Sequence, residues 1–269
     1  MNLMNRVAVI TGAGGGIGRA TALSLARRGC HLALADIDPA GLRDTACMLG
    51  SFGVRVTSHV LDVADREAVR ALPGEVHAAH KRVDLLVNNA GVALGGSFEE
   101  VSEADFDWLM DINFNGLVRM TRAFLPLLHQ SDEARIVNLS SIYGIISPPG
   151  QCAYSASKFA VRGFSNALRH ELEGSTVALS VVHPGGVATA ISRNARVPGA
   201  APADQIARGR KAAEKMLRLA PEIAGDIIVR GIERRRARIL VGGDAKAVSL
   251  LERLAPVHYW RILKKAIAR

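Results

Sequence analysis

The chain has 269 residues, of which 49% are hydrophobic and 22% are charged, and its formal net charge is +9. This apolar content is enough for a sizeable core and excludes an intrinsically disordered chain. No run of about 18 uninterrupted apolar residues occurs, so we expect no membrane-spanning segment. The three cysteines form no C-x-x-C pair, and a strand pattern begins almost at the first residue, without a signal segment. We therefore expect free thiols in a reducing cytoplasm.

The positive charge is concentrated in the last third of the chain. Residues 191–269 carry 18 basic and 7 acidic side chains, whereas residues 1–190 carry 16 basic and 18 acidic ones. Such asymmetry indicates either an anionic partner, such as a membrane surface, a nucleic acid or an acyl-CoA, or a solvated basic face. We favour the solvated face, because runs of charge usually have that role, and we expect no nucleic-acid partner.

The hydrophobic pattern predicts strands that alternate with helices along the chain. The predicted strands are residues 6–11, 31–36, 55–62, 84–88, 135–140, 176–183 and 237–241. Helical patterns lie between them, including a long one over 102–129, and Asp38 and Asp65 are placed to cap two of these helices. Strands that are apolar throughout and alternate with helices predict an α/β fold with a doubly wound, Rossmann-like parallel sheet of about seven strands. Without an internal repeat or linker, residues 1–269 are interpreted as a single domain.

The pattern becomes looser after the sixth strand. Residues 190–220 are small, basic and proline-containing, and we expect them to form a substrate loop over the carboxyl edge of the sheet. Residues 245–269 form a basic tail that is helix-prone and interrupted at Pro256. Its mixture of apolar and basic residues is typical of a helix on a membrane surface. We favour a subunit contact or a core helix instead, and expect no binding to acidic liposomes.

A glycine-rich segment, TGAGGGIG at 11–18, lies where the first strand meets the first helix. Glycines there let the backbone approach a pyrophosphate, and the helix amino terminus supplies N–H donors and a positive dipole. Asp36 ends the second strand, 18 residues beyond Gly18, where an acidic side chain would accept hydrogen bonds from the adenosine ribose. Asp62, at the end of the third strand, is suited to the adenine edge, with a turn or helix-capping role as the alternative.

A second group of polar side chains points to acid–base chemistry. Tyr154 and Lys158 are four residues apart in a predicted helix, so both side chains project from one face. The ammonium would lower the pKa of the phenol, about 10 when free, towards the working range. Ser141 ends a strand just before this helix and could hydrogen-bond the same oxygen as Tyr154. An isolated Tyr-x-x-x-Lys pair is usually only a pair on a helix surface, so its meaning depends on the rest of the chain.

In combination, the motifs resemble those of the short-chain dehydrogenase/reductase family. The resemblance covers residues 6–190 and returns weakly at the seventh strand. It rests on TGAGGGIG, Asp36, Asp62-Val63, NNAG at 88–91, Asn113, Ser141, Tyr154-x-x-x-Lys158 and PGGVAT at 184–189, in the family's order and spacing. It implies a Rossmann-fold oxidoreductase that binds a nicotinamide dinucleotide and assembles as a homo-oligomer, a dimer or a tetramer.

The resemblance also implies a role for each motif residue. Tyr154 would be the general acid/base, Ser141 would polarise the substrate oxygen, and Lys158 would lower the pKa of the tyrosine. Asn113 would hold a water that relays protons to the lysine. Val187 and Thr189 would fix the nicotinamide carboxamide, and Lys158 would also bind the nicotinamide ribose. The implied cofactor-binding residues are Gly12, Gly16, Ile17, Gly18, Asp36, Asp62, Val63, Asn89, Tyr154, Lys158, Val187 and Thr189.

We expect an oxidoreductase that transfers hydride between NAD(H) and a hydrophobic secondary alcohol or ketone. NADP is disfavoured because Asp36 would repel its phosphate, and Arg19 is interpreted as solvated. The alternatives are an NADPH-dependent reductase of a bulky ketone or aldehyde and a non-catalytic dinucleotide-binding scaffold. An intact catalytic set argues against the scaffold.

The substrate is expected to be apolar and fairly bulky, because the residues expected to flank the site are uncharged. They are Val92, Leu94, Ile142, Tyr143, Ile145, Ile146, Pro148, Pro149 and Ala190. An anionic substrate tail held by Arg193 or Arg196 is a less favoured alternative. We expect no metal site: His77 and His80 share a helix face without a third ligand and are interpreted as solvent-exposed.

Overall fold

The computed structural model describes residues 1–199, 207, 209, 211 and 214–267. The strands are β1 (Val7–Thr11), β2 (His31–Asp36), β3 (Val56–Val60), β4 (Leu85–Asn88), β5 (Ala134–Leu139), β6 (Val177–Pro184) and β7 (Arg238–Val241). They form one parallel sheet of seven strands in the order β3-β2-β1-β4-β5-β6-β7. Every strand lies within two residues of its predicted bounds at either end, and the predicted doubly wound α/β fold is confirmed.

Helices cover both faces of the sheet. They are α1 (Gly16–Ala26), α2 (Pro39–Leu49), α3 (Arg66–His80), α4 (Glu103–Met110), α5 (Leu117–Leu128), α6 (Cys152–Glu171), α7 (Pro221–Glu233), α8 (Gly243–Leu254) and α9 (Tyr259–Ile267). Asp38 caps α2 and Asp65 caps α3, as predicted. The long helix predicted over 102–129 is not regular, because a π-helical segment, Asp111–Gly116, joins α4 to α5.

The central strands β1, β4 and β5 are largely apolar because both of their faces are buried against helices, whereas the edge strand β3 is only partly buried. Val9 and Ile10 are neighbours in β1 and both are fully buried, yet they belong to opposite hydrophobic clusters. Ile10 packs with α1 and α7 through residues such as Ile228, whereas Val9 packs with α3 and α5 through residues such as Phe124. Continuous apolar runs are the pattern expected of parallel strands that are covered on both sides.

The order of the strands determines where a ligand can bind. From β1 the chain moves outward through β2 to β3, then returns to β4, which pairs with the other side of β1. The loops that leave the carboxyl ends of β1 and β4 therefore diverge and leave a crevice between them. The next two strands, β5 and β6, end at the same edge of the sheet, beside that crevice.

The predicted substrate loop over this edge of the sheet, residues 190–220, is only partly described by the structure. The backbone N–H of Arg196 donates a hydrogen bond to Ala93 O at 3.0 Å, and its carbonyl oxygen accepts one from Gly95 N at 3.0 Å. The beginning of the segment is therefore paired with the loop after β4. Residues 200–206, 208, 210, 212 and 213 of the predicted loop lie outside the described residues. The predicted interruption of the tail at Pro256 is present between α8 and α9. Among the helices described, none is long and apolar enough to cross a bilayer.

The expectation that His77 and His80 are both solvent-exposed is wrong for His80. His77 is exposed, whereas His80 is 6% exposed at the end of α3. The Nε2 atom of His80 lies 3.0 Å from Thr57 Oγ1, and His59 Nε2 lies 3.0 Å from the same hydroxyl. Burial lowers the pKa of His80 to about 4, and the nearby Arg55 guanidinium adds to this effect.

Acid should destabilise the protein through His80. Its pKa is about 4 in the folded chain, whereas an imidazole in an unfolded chain has a pKa near 6.5. Between about pH 6.5 and pH 4 the unfolded chain binds a proton that the folded chain does not. The free energy of unfolding therefore decreases as the pH is lowered through this window, by at most about 1.4 kcal/mol per pH unit from this group.

Denaturant unfolding of the unsubstituted protein and of His80→Gln at pH 7 and pH 5 measures this contribution. The decrease in unfolding free energy on acidification should be smaller in His80→Gln by about 1–2 kcal/mol. The variant His77→Gln, which removes an exposed imidazole from the same helix, is the control. Equal decreases in the unsubstituted protein and His80→Gln would contradict the burial of a neutral His80.

Candidate active site

The glycine-rich turn between β1 and α1 brings two backbone segments into close contact. A Cβ atom at Gly18 would lie 2.0 Å from the carbonyl oxygen of Gly12, so only glycine fits there. Gly12 and Gly16 have φ angles of +65° and +51°, which glycine adopts at little cost. A Cβ at Gly15 would meet no atom within 4 Å, and no side chain caps α1. The turn therefore offers open space and helix N–H donors, and these fit a pyrophosphate.

Asn89 fixes this turn to the end of β4. Its side-chain amide donates to Thr11 O at 2.9 Å and to Gly12 O at 3.0 Å. Its backbone N–H donates to Thr11 Oγ1 at 3.0 Å. Asn89 thus lies at the crevice, as expected of a residue that lines a dinucleotide, but its side-chain donors are used by the protein backbone.

Asp36 lies beside the glycine-rich turn. Its Oδ2 atom accepts the N–H of Gly14 at 2.7 Å, and its Oδ1 atom accepts the N–H of Asp38 at 3.0 Å. These bonds fix the carboxylate at the end of β2, and each oxygen keeps a lone pair for a further donor. The carboxylate therefore has the position and acceptor capacity that a ribose diol requires.

The interpretation of Arg19 as solvated is wrong. Its Nε atom donates to Thr45 Oγ1 at 2.9 Å, and its Nη2 atom donates to the carbonyl oxygens of Gly14 and Gly41. The side chain is 26% exposed and lies 4.0 Å from Asp44. Arg19 therefore links α1 to the glycine-rich turn through Gly14 and to α2 through Gly41 and Thr45.

Asp62 and Val63 follow β3 at the same edge of the sheet. Asp62 is exposed, and its Oδ1 atom accepts the N–H of Ala64 at 2.8 Å, which is the turn role considered as an alternative. Its second carboxylate oxygen is not needed by that turn. Val63 is 6% exposed and packs against the π-helical segment, where a Cβ at Gly116 would lie 2.8 Å from it.

The loop after β6 reaches the glycine-rich turn from the opposite side. Thr189 lies 3.1 Å from the position that a Cβ at Gly16 would occupy. Val187 is buried. Its backbone N–H donates a hydrogen bond to Gly185 O at 3.0 Å, and its carbonyl oxygen accepts one from Thr189 N at 2.9 Å. The structure therefore brings the predicted carboxamide-binding loop next to the predicted pyrophosphate-binding turn.

Asp244, at the amino end of α8, holds this loop in place. Its Oδ2 atom accepts the N–H of Gly186 at 2.6 Å, and a Cβ at Gly185 would lie 2.2 Å from the carboxylate. The sequence analysis did not identify this residue. The available signal is its position in Gly242-Gly243-Asp244, directly after the seventh strand, since residues that follow parallel strands collect at one edge.

Lys158 and Asn113 meet behind the crevice, as predicted for members of one site. Lys158 is 4% exposed; its Nζ atom donates to Leu139 O at 3.2 Å and lies 5.6 Å from the centre of the Tyr154 ring. A Cβ at Gly91 would lie 3.0 Å from Asn113 Oδ1 and 3.5 Å from Lys158 Nζ. The absence of a side chain at position 91 therefore keeps these two polar groups accessible to each other.

Asn113 is fixed by the irregular π-helical segment and by the loop after β4. Its side chain donates to Val92 O at 3.0 Å and accepts from Val92 N at 2.8 Å, which pairs it with the backbone as another strand would. It also donates to Ser157 Oγ at 3.2 Å, and Ser157 donates to Tyr154 O at 2.8 Å. Sequence reasoning missed Ser157, although it directly precedes Lys158 in α6.

Ser141 caps a short 3₁₀ turn between β5 and α6. Its Oγ atom accepts the N–H of Tyr143 at 3.1 Å, which leaves the hydroxyl proton available for a substrate oxygen. The Nδ1 atom of His183 lies 2.9 Å from the carbonyl oxygen of Ser141. Because a carbonyl only accepts, Nδ1 must carry the proton of the neutral ring. Burial lowers the pKa of His183 to about 4, so the ring is neutral at pH 7 and supports the backbone of Ser141.

The expected lowering of the Tyr154 pKa by Lys158 is not what the protein residues produce. Burial raises the pKa of Tyr154 to about 12, and the Ser141 hydroxyl counteracts this only in part. Burial likewise lowers the pKa of Lys158 to about 8. Burial is the largest cause of both shifts, because removing a group from water disfavours its charged form.

The residues expected to flank the substrate divide into two groups. Leu94, Ile145 and Ile146 are at most 4% exposed, and Leu94 packs in a small cluster beside Val92 and Tyr154. The others are at least partly exposed: Val92, Ile142, Tyr143, Pro148, Pro149 and Ala190. The two groups differ in the burial of their side chains, and the sequence of single residues does not show burial.

Arg196 is engaged by the protein itself. Its guanidinium carbon lies 3.5 Å from the centre of the Trp108 ring, and Nη1 donates to Asp105 at 3.1 Å. Arg193 is exposed. The structure therefore does not favour Arg196 as the partner of an anionic substrate tail. Within the described part of the chain, three or more His, Cys, Asp or Glu side chains do not gather in a way that could hold a metal ion.

Comparisons with known proteins agree with this geometry. The family model for short chain dehydrogenases matches residues 6–198. The chain is 43% identical over 266 residues to the oxidoreductase SadH of Mycobacterium tuberculosis, covering 98% of this chain and 96% of the relative. It superposes with a TM-score of 0.88 on a short chain dehydrogenase/reductase from Burkholderia phymatum in complex with NAD, at 33% identity and 95% coverage of both chains.

A second solved structure contains the other dinucleotide. A metagenomic short-chain oxidoreductase in complex with NADP superposes with a TM-score of 0.72, at 29% identity, covering 90% of this chain and 98% of its own. The similar structures therefore support a nicotinamide dinucleotide as the cofactor without choosing between the two forms. The family model, the sequence relative and the shared fold agree: this chain is an oxidoreductase that belongs to the short-chain dehydrogenase/reductase family.

Proposed function

We propose that the protein transfers hydride between NAD(H) and a hydrophobic secondary alcohol or its ketone, with Tyr154 as the general acid/base. The observation that carries the proposal is the grouping of Tyr154, Lys158 and Asn113 directly behind a glycine-rich turn that fits a pyrophosphate. Burying an ammonium without a carboxylate partner is costly. A scaffold that only bound a dinucleotide could use this ammonium against the nicotinamide ribose, but it would gain nothing from the phenol of Tyr154 beside it.

The residues at the crevice suit the parts of a dinucleotide in order. The N–H groups at the start of α1 would hold the pyrophosphate, and Asp36 would accept the hydroxyls of the adenosine ribose. Asp62 would reach the adenine, while Val187 and Thr189 would contact the carboxamide. When bound, the oxidised nicotinamide ring supplies the hydride acceptor and a positive charge.

Proton transfer would depend on Tyr154, Ser141 and Lys158. With a pKa raised to about 12, the phenol is protonated at neutral pH and is ready to donate to a ketone oxygen. The free proton of Ser141 would polarise the same oxygen. In the direction of alcohol oxidation, positive charge beside the phenol would stabilise its ionised form. Asn113, held rigidly by Val92, would support a water that connects Lys158 to solvent.

An apolar substrate is favoured by the uncharged, partly exposed residues beside Ser141, including Ile142, Tyr143 and Pro148. Their surfaces would remove the substrate from water, which is how most small-molecule pockets gain affinity. Residues 190–220 are proposed as the loop that covers this region within a single catalytic domain. A homo-oligomeric assembly and a cytoplasmic location also stay predictions.

Removal of the Tyr154 hydroxyl should abolish most turnover. In Tyr154→Phe we expect kcat to fall by about 10²–10⁴-fold, because the proton donor is lost. The dinucleotide Kd should change little, since the ring remains. Stopped-flow measurement of nicotinamide absorbance gives kcat, and fluorescence titration gives Kd. The matched variant Tyr259→Phe removes the same atom from the tail; turnover that fell equally in both variants would argue against the catalytic role.

Substrate class can be tested with a panel of secondary alcohols and the matching ketones. We expect kcat/KM to increase with the size of the apolar group, by roughly 10-fold for each buried pair of methylenes, if burial contributes about 0.8 kcal/mol per CH₂. Nicotinamide absorbance with NAD+ or NADH reports each rate. A strong preference for small, highly polar alcohols would show that the substrate class is wrong.

Cofactor preference follows from the charge of Asp36. A 2′-phosphate within ~4 Å of that carboxylate would be repelled by about 4 kcal/mol per charge pair at an effective dielectric of ~20. Arg19 is near enough to reduce this repulsion, but two of its nitrogens are already bonded to Thr45, Gly14 and Gly41. We therefore predict at least about tenfold higher kcat/KM with NAD(H), which requires only about 1.4 kcal/mol.

Two variants make this cofactor test specific. Asp36→Ser should reduce the ratio of the two kcat/KM values to near unity, because the repelling charge is removed. Asp44→Asn removes an equal charge from α2, opposite Arg19, and should leave most of the preference. Equal or better use of NADP(H) by the unsubstituted protein would favour the alternative, an NADPH-dependent carbonyl reductase.

A further inference from the structure

The tail helices present a row of exposed aliphatic side chains. In α8, Leu250 and Leu254 are 59% and 74% exposed, and they lie one helical turn apart on the same face. Val257, in the turn that follows, is 81% exposed, and Ile262 in α9 is 48% exposed. We refer to these four residues as the tail patch. Single exposed aliphatic residues are common, but four in one short segment are not expected of a solvated surface.

Exposed basic side chains lie near the exposed aliphatic residues on each of the two tail helices. Lys246 and Arg253 are exposed and lie four and three residues from Leu250, on the same face of α8. On α9, Arg261, Lys264 and Lys265 are exposed beside Ile262. The segment 243–267 holds five basic and two acidic residues, and one of the acidic residues, Asp244, is bonded to Gly186.

The tail is anchored to the protein through its opposite face. Tyr259 Oη accepts the N–H of Ser147 at 2.9 Å, and Tyr259, Trp260 and Leu263 are partly buried at neighbouring positions of α9. Ala245 of α8 is completely buried. The helices are thus amphipathic, and the aliphatic and basic residues form their outward side. This arrangement corrects the expectation of a core helix.

We propose that the tail patch binds the surface of an anionic lipid bilayer, in place of the subunit contact or core helix that the sequence pattern favours and against the expectation of no liposome binding. Exposed aliphatic residues flanked by lysine and arginine are the combination that inserts shallowly among lipid headgroups while cations contact the phosphates. Each basic residue near an anionic surface contributes roughly fivefold to the binding constant. A second copy of the chain fits this face less well, because an isologous contact would place the same basic residues opposite one another.

Sedimentation of the full chain with lipid vesicles tests this proposal, with no requirement for enzymatic activity. The probes are vesicles of phosphatidylcholine mixed with phosphatidylglycerol and vesicles of phosphatidylcholine alone. We expect at least about tenfold more binding to the anionic vesicles at ~0.05 M salt, and a loss of most of this difference at ~0.5 M salt, where screening is strong. No binding, or equal binding to both kinds of vesicle, would overturn the proposal.

Variants show whether the tail patch is the contact. Leu250→Glu/Leu254→Glu and Lys246→Gln/Arg253→Gln should each reduce binding to anionic vesicles by at least about tenfold. The control Met4→Glu/Met48→Glu changes two other exposed aliphatic residues and should bind normally. Light scattering of each variant measures its mass. Dissociation of an oligomer by Leu250→Glu/Leu254→Glu would instead assign the patch to a subunit contact and overturn the proposal, as would normal vesicle binding by both patch variants.

Discussion

The candidate site depends on a contact between two backbone segments that no side chain could share. Gly12 O and the α-carbon of Gly18 approach so closely that any Cβ at Gly18 would overlap the carbonyl. This contact places the amino end of α1 directly above the carboxyl end of β1. The side chain of Asn89, at the end of β4, also donates hydrogen bonds to this turn. The distance between the two sides of the crevice is therefore fixed. A phosphate site and a catalytic site can therefore be built on one rigid frame.

The second constraint is the burial of polar groups behind this frame. Lys158, Asn113 and Ser157 are each at most 4% exposed, and every one of them is bonded to another protein atom. Such a network favours a single arrangement, because leaving any member unpaired in a medium of low dielectric is costly. The same burial explains why the protein residues alone hold Tyr154 as the neutral phenol and weaken Lys158 as a cation. A positive charge bound at the crevice would favour the ionised form of Tyr154 and the neutral form of Lys158.

Much of the fold could be predicted from the sequence because parallel strands buried on both faces give continuous apolar runs, and caps such as Asp38 and Asp65 are local signals. The family resemblance also predicted that Tyr154, Lys158 and Asn113 belong to one site, and the structure brings Lys158 close to Asn113 and to the Tyr154 ring. Features that depend on three-dimensional contact could not be predicted in this way. The π-helical segment and the burial of His80 arise from packing, which overrides local pattern.

The errors at the candidate site have the same origin. Arg19 was interpreted as solvated because a helix position shows which residues are near in sequence, but not that Thr45 and Gly41 supply acceptors from α2. Leu94 and Ile146 are apolar and adjacent to the motifs, and their burial is likewise set by packing that the sequence does not show. Spacing reveals that Lys158 is a charged neighbour of Tyr154, whereas the rise in the Tyr154 pKa comes from desolvation, which is a property of the whole surrounding structure.

The bond between Asp244 and Gly186 joins two regions that are far apart in sequence. Asp244 begins the helix that carries Leu250 and Leu254, whereas Gly186 precedes Val187 and Thr189 in the loop beside the crevice. Any displacement of α8 must therefore be transmitted to that loop or must break this bond. Thermodynamic linkage makes such an effect reciprocal: a partner that alters dinucleotide affinity through α8 has its own affinity altered by the same factor when the dinucleotide binds. The affinity of the tail for the surface that it contacts would then depend on whether a dinucleotide occupies the crevice.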